Sequence, residues 1–311
     1  MRFAVVGVGA VGGLIGARLL QAGHTVSFLA RGATAAHLRT RGLVVESVDG
    51  DVTLPAITVA EAAADIGPVD CVLVAVKATQ VGALAPRLTP LVGPDTLVLP
   101  LQNGVEASTQ LADHLGAEHV IEGVCRVIAA LDGPGHIRHT AVRPVIEFGP
   151  RLGTPTSATL LDRLDALEAV FAGAGLVPQR PRDMGIASWE KFLFIEPIGV
   201  VCAASRQSFG VVRTVPALRQ LADDAVREVI SVGQAVGVAW PVDARERIWE
   251  RYDSLPADSA TSMARDLMAG RPSEFDAQTG AVVRLAERHG VAVPVHRVLH
   301  AILAAGTTPA T

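Results

Sequence analysis

The first apolar run, Arg2-Phe3-Ala4-Val5-Val6, has the continuous pattern of a short buried strand, and the spacing of apolar positions then changes. Val11, Leu14, Ile15 and Leu19 recur at helical intervals up to Gly23, after which Thr25 to Ala30 returns to a strand pattern. Strand, glycine turn, helix and strand thus follow within about 30 residues, the length of a βαβ unit. Apolar runs at Cys71 to Val76 and Leu97 to Leu101 predict further buried strands, and the alternation with helices or loops predicts an α/β fold with a mostly parallel sheet. Between Gly42 and Val59 an Asp49-Gly50 turn separates two β-prone runs and predicts an inserted hairpin. Residues 124–149 are strand-like, and Ser157 to Ala174 has helical spacing.

After Pro181 the strand signals fade. Helical periods run through 184–200, 215–236, 241–253, 259–268 and 273–289, and Pro178-Gln179-Arg180-Pro181 is the natural boundary. A chain of 311 residues also exceeds what one core usually organises. Two domains are expected, 1–181 and 182–311, the second all-helical.

Gly7-Val8-Gly9-Ala10-Val11-Gly12 matches G-x-G-x-x-G between the first strand and the first helix. The first glycine permits a tight turn, the second lets a pyrophosphate approach the backbone, and the third lets helix pack on sheet. Helix N-terminal amides then face the phosphates, so the first domain reads as a Rossmann-type dinucleotide-binding domain. NAD-selective sites place an acid at the end of the second strand, but here Arg31 follows Phe28-Leu29-Ala30. A guanidinium suits a 2′-phosphate, which points to NADP(H). Open parallel sheets bind ligands beyond the carboxyl ends of their strands, where Lys77 and Gln102-Asn103-Gly104 are delivered. Lys77 can bind phosphate or ribose, and Asn103 can orient nicotinamide or substrate.

Composition narrows the picture. Half the residues are hydrophobic, 19% are charged and the net charge is −4, so nucleic acid is not an expected partner. The glycines of the N-terminal stretch disfavour a signal helix, and no run predicts a membrane span, so a cytoplasmic protein is expected. Cys71, Cys125 and Cys202 are widely spaced and read as buried thiols. His296 with His300, and His136 with His139, lack a convincing third ligand, so no metal site is expected. Among 27 basic residues only Lys77 and Lys191 are lysines, which marks both as places where a compact, titratable amine is wanted.

Lys191 lies in Trp189-Glu190-Lys191-Phe192-Leu193, near the start of the first helix of the second domain. Ketone reduction needs a proton for the oxygen that gains negative charge, and an ammonium leaning toward a cofactor cleft can supply it. The alternative is a surface lysine on an amphipathic helix. Glu274 follows Gly270-Arg271-Pro272-Ser273, a turn and N-cap, and is expected in a helix's first turn. Its carboxylate can hold a substrate hydroxyl or keep Lys191 charged, while Ser262 can offer a neutral hydrogen bond to a carboxylate.

In this order the residues resemble the ketopantoate reductase (2-dehydropantoate 2-reductase) family across nearly the whole chain. The likeness rests on Gly7-x-Gly9-Ala10-x-Gly12, Arg31, Lys77, Asn103-Gly104, Trp189-x-Lys191, Ser262-Met263 with Glu274, and the closing His289-Gly290-Val291-Ala292-Val293-Pro294. The resemblance implies NADPH-dependent reduction of a 2-oxo acid to a 2-hydroxy acid, by default ketopantoate to pantoate, in pantothenate biosynthesis. It implies Lys191 as general acid, Glu274 contacting the substrate, Ser262 and Asn103 positioning it, and the glycines, Arg31 and Lys77 binding cofactor. It implies a small-molecule substrate, and a homodimer is the candidate assembly.

The chain departs from the family pattern at four places. Asparagines expected four and eight residues after the lysine are Ile195 and Gly199, a proline expected just after the second is missing while Pro197 appears earlier, and a third asparagine is Thr279. Glu196 beside Ile195 is the acidic candidate to compensate, turned about 100° away on the helix. Two rival functions follow: a paralogue reducing a bulkier or less hydroxylated 2-oxo acid, another ketone or an imine, and a noncatalytic NADP-binding sensor.

Overall fold

A computed structural model describes residues 1–307. Contacts divide the chain into two units, Met1–Gln102 with Ala107–Met184, and Asn103–Glu106 with Gly185 onward. The sequence reading set the boundary three residues earlier and did not separate Asn103–Glu106 from its surroundings.

The first unit opens with β1 (Arg2–Val6), α1 (Ala10–Gln21), β2 (Thr25–Leu29) and α2 (Gly32–Arg41). A hairpin, β3 (Leu43–Ser47) and β4 (Val52–Leu54), precedes β5 (Thr58–Ala60) and β6 (Cys71–Val74). After the short α3 (Val81–Leu84) come β7 (Leu97–Pro100) and α4 (Ala107–Leu115). A long ribbon, β8 (Glu122–Gly133) and β9 (His136–Gly149), then leads to α5 (Ala158–Gly173) and β10 (Val177–Gln179). The main sheet is parallel, in the order β5-β2-β1-β6-β7, with Val5 opposite Phe28 and Leu73. Strands β6 and β7 are apolar and buried along their whole length, because both faces of the sheet are covered there.

A second sheet runs β10-β9-β3-β4, with β8 paired to β9. The predicted hairpin is therefore one part of a larger sheet, in which β3 joins the distant β9 in parallel. The proline-rich stretch read as a boundary contributes β10, an edge strand beside β9, and Pro178 is tolerated at an edge.

Helix α1 is buried on both sides, and its glycines explain how. A Cβ at Gly13 would lie 2.3 Å from Ile137 of β9, and one at Gly16 would lie 2.5 Å from Phe28 of β2. The glycines thus let one helix approach both sheets, which share an apolar core around Phe3, Leu14, Phe148 and Phe171. Arg18 at the end of α1 is buried too, donating to Gln21, Ser47 and the Gly50 carbonyl.

The second unit is helical: α6 (Met184–Ser205), α7 (Phe209–Thr214), α8 (Pro216–Val236), α9 (Ala244–Ser254), α10 (Ser262–Met268), a π-helical turn (Asp276–Gly280), α11 (Ala281–His289) and α12 (Pro294–Thr307). The periodicity missed α7 and α12. Helix α6 contributes Trp189, Phe192, Leu193, Ile198 and Val201 to the core. Pro197 sits in its middle and cannot donate to the Leu193 carbonyl one turn back. The buried Tyr252 hydroxyl supplies that bond, donating to Leu193 O at 2.7 Å, so α6 stays a single helix. Burial raises the Tyr252 pKa further, which keeps this donor protonated.

Candidate active site

The turn after β1 is made of backbone. Gly7 has φ +97°, and a Cβ there would lie 2.7 Å from the Val76 nitrogen, so the turn closes only without a side chain. At Gly12 a Cβ would lie 2.1 Å from the Gly7 oxygen and 2.9 Å from the Ala75 Cβ. Gly9 is different, because a Cβ there would meet nothing within 4 Å. That open space lies over the N-terminus of α1, where no side chain caps the helix and no acid occupies its first turn. Val8 is buried beneath the turn, while Ala10 and Val11 start the helix.

Strand ends surround this turn. Arg31 is exposed beyond β2 as the N-cap of α2, and Lys77 is exposed beyond β6. Beyond β7, the Gln102 Nε2 donates to the carbonyls of Val74 at 2.7 Å and Val76 at 3.0 Å, tying two strand ends together. Its Oε1 is buried with no protein partner. An uncapped helix N-terminus, room above Gly9 and two exposed cations fit the phosphates of a dinucleotide.

In the helical unit Lys191 lies about two turns into α6, which begins at Met184 as the periodicity predicts, and is half-buried. Asn103 Nδ2 donates to Glu274 Oε2 at 3.2 Å, joining two of the predicted site residues. Glu274 is buried and stands just ahead of the π-turn, not within the first turn of an ordinary α-helix. The Ser273 hydroxyl accepts from Phe275 N at 3.3 Å, so Ser273 anchors the start of this turn as a short cap. Ser262 is exposed in the first turn of α10, and its neighbour Thr261 does the capping, accepting from Ala264 N at 3.2 Å.

The positions of the missing asparagines are occupied in a definite way. A Cβ at Gly199 would lie 2.6 Å from the Thr261 hydroxyl and 3.3 Å from the Met263 methyl, so α10 fills the space an asparagine would use. Thr279 donates to Glu196 Oε1 at 2.8 Å. The other Glu196 oxygen accepts from His296 Nε2 at 2.7 Å, and His296 Nδ1 donates to Glu228 Oε2 at 2.6 Å. All four residues are buried. Glu196 is thus fully engaged within the core and does not compensate for Ile195.

Sequence reasoning missed this cluster. His296 was weighed only as half of a metal pair, whereas its ring bridges carboxylates from α6 and α8, and His300 stacks on Phe275 with centroids 5.1 Å apart. The available signal was Glu196, an acidic residue inside the otherwise apolar run from Phe192 to Val201, whereas Glu228 lies in a helix with several other charges and stands out by nothing local. Burial alone would lower the His296 pKa, but Glu196 and Glu228 outweigh it and raise it to about 9. Glu228 also accepts from the backbone amides of Val295 and His296, capping α12. His136 and His139 are likewise engaged, with Glu46 and Ser47. The three cysteines are buried thiols outside any disulfide, and burial pushes Cys202 up to about 12.

Two family models cover most of the chain. Ketopantoate reductase PanE/ApbA matches residues 3–153, and its C-terminal counterpart matches residues 183–307. This chain belongs to the ketopantoate reductase family. A 2-dehydropantoate 2-reductase of Mycobacterium tuberculosis is 32% identical over 305 residues, covering 98% of this chain and 97% of its own. The uncharacterized oxidoreductase YkpB of Bacillus subtilis is 30% identical over 303 residues, 97% of this chain and 98% of its own. The crystal structure of 2-dehydropantoate 2-reductase from Geobacter metallireducens matches with a TM-score of 0.86 and 32% identity, over 99% of this chain and 100% of that one. Ketopantoate reductases are dinucleotide-binding oxidoreductases that act on a carbonyl/CH–OH couple, and the glycine turn and parallel sheet are the corresponding parts here. Among the described residues no helix is long and apolar enough to cross a membrane.

Proposed function

We propose that this chain is a cytoplasmic, NADPH-dependent reductase that converts a 2-oxo acid to the 2-hydroxy acid, with ketopantoate as the reference substrate and Lys191 as general acid. The observation that carries the reading is the Asn103–Glu274 hydrogen bond, because it joins a strand-end amide to a buried carboxylate in the unit that also holds Lys191. NADPH, held by Gly7 to Gly12 with Lys77 and Arg31, supplies hydride when bound. Arg31 offers its guanidinium to the 2′-phosphate. Lys191 gives a proton from Nζ to the substrate oxygen as that oxygen gains negative charge. Glu274 accepts from a substrate hydroxyl or sustains the ammonium of Lys191, and Asn103 and Ser262 orient the 2-oxo acid through neutral hydrogen bonds.

A second reading, a 2-oxo acid with an apolar distal end, has its own support. Ile195 offers no hydrogen bond, Gly199 is closed off by Thr261, and Thr279 donates to Glu196. A distal hydroxyl buried without a partner costs about 1–3 kcal/mol, or roughly five- to 150-fold in kcat/KM. Ketopantoate and trimethylpyruvate, which lacks only the terminal hydroxyl, separate the readings. Higher kcat/KM for trimethylpyruvate favours the apolar class, higher kcat/KM for ketopantoate favours the reference substrate, and no NADPH oxidation with any 2-oxo acid defeats both.

A further inference from the structure

The segment Asn103–Glu106 leaves the strand β7 but makes its contacts with the helical unit. It is fastened at three points, two beside the π-turn and one on α11. Asn103 donates to Glu274 at 3.2 Å. Gly104, with φ +105°, lies so close to the Ala277 carbonyl that a Cβ would sit 2.8 Å from that oxygen. At the far end, Glu106 Oε2 accepts from Arg284 at 2.7 Å and Oε1 accepts from Arg288 at 2.8 Å. Arg284 in turn donates to the Asp276 side chain at 2.8 Å and to the Asp276 carbonyl at 2.9 Å. The same guanidinium therefore grips both the segment and the turn that follows Glu274.

An isolated surface ion pair would hold little. Here the Glu106 side chain is only 11% exposed, each of its oxygens takes a separate arginine, and the two arginines lie one turn apart on α11. Such a doubly bonded, shielded carboxylate fixes geometry as well as contributing attraction. Without it, the four-residue segment keeps the hydrogen bond to Glu274, the Gly104 contact and Val105 packed on the helical core, and of these only the single hydrogen bond bears on the direction of the Asn103 amide.

We propose that Glu106 is a positioning residue, setting the Asn103 amide against Glu274 through the Arg284–Arg288 latch. The proposal rests on Asn103 and Glu274 being substrate-binding residues. Its test is steady-state kinetics of the full-length enzyme with NADPH and whichever of ketopantoate and trimethylpyruvate it turns over faster. Glu106→Gln keeps the side-chain volume but turns one acceptor into a donor facing a guanidinium. It lowers kcat/KM for the 2-oxo acid about tenfold and leaves the KM for NADPH within about twofold, and Arg288→Ala, which removes one exposed partner, lowers kcat/KM about threefold. In an Asn103→Ala background, Glu106→Gln adds less than about a twofold loss, because its effect runs through Asn103.

Independent, multiplying losses from the two substitutions would overturn the proposal, since Glu106 would then act by another route. So would full activity of Glu106→Gln beside a crippled Asn103→Ala, a result that leaves the substrate site itself intact. Full activity of Asn103→Ala would remove the substrate role of Asn103 and the latch with it. Arg288→Ala and thermal melts of every variant separate these outcomes from a failure to fold.

Discussion

The turn from Gly7 to Gly12 and the surroundings of Lys191 and Glu274 are built in opposite ways. The first is six consecutive residues whose backbone makes the cradle, with Gly7 and Gly12 hemmed in and Gly9 open. The second is made of side chains brought together from distant segments, as Asn103 and Glu274 are across 171 residues of sequence. A backbone cradle tolerates almost no change at its packed positions, whereas a side-chain site can be altered piecemeal, as Ile195, Gly199 and Thr279 illustrate. The contrast accounts for a glycine turn that keeps the family pattern beside a helical unit that departs from it.

One large expected effect separates two kinds of glycine within one motif. Gly12→Val drives a side chain into the Gly7 carbonyl and the Ala75 methyl, and costs about 3 kcal/mol in a urea melt. Gly9→Ala places its methyl in open space and changes stability by no more than about 1 kcal/mol, yet weakens NADPH binding by at least about tenfold in a titration. Equal stability losses at the two positions would erase the distinction.

The buried cluster in the helical unit provides a comparable effect with a pH signature. His296 is raised above its ordinary value to about 9, so its contribution to stability is fully present below about 6.5 and is lost as pH rises through about 9. The groups facing it are Glu196 of α6 and Glu228 of α8, and Tyr252 feels the Glu196 charge. His296→Gln leaves two buried carboxylates without their cation and destabilises by about 3–5 kcal/mol near neutrality. The gap from wild type narrows between about pH 7 and about pH 10 in urea melts, and a constant gap would contradict an imidazolium at this position. Smaller again, Arg31→Ala reduces the preference for NADPH over NADH by about tenfold, measured as the ratio of kcat/KM values, and an unchanged ratio would remove Arg31 from cofactor selection.

How far each region was legible in the sequence follows the same division. The β1-α1-β2 unit and the Asp49-Gly50 hairpin were readable because the signals are local: apolar period, glycine order and turn residues. The pairing of that hairpin with β9 was not, because parallel pairing between distant strands leaves no local mark. Pro178 concealed β10, and the hydrogen bond from the distant Tyr252 hydroxyl to the Leu193 carbonyl, one turn before Pro197, left no local mark. Lys191, Glu274 and Asn103 were nameable from residue type and order. Their surroundings were not, because the partner of Asn103 and the commitment of Glu196 to His296 depend on packing between helices.

Turnover by Lys191→Ala, assayed with NADPH and a 2-oxo acid that the wild type reduces, tests the central claim most directly. With a general acid removed, kcat falls by about a hundredfold to ten-thousandfold while the Kd for NADPH, measured by titration, stays the same. Wild-type kcat in that variant would contradict proton donation by Lys191.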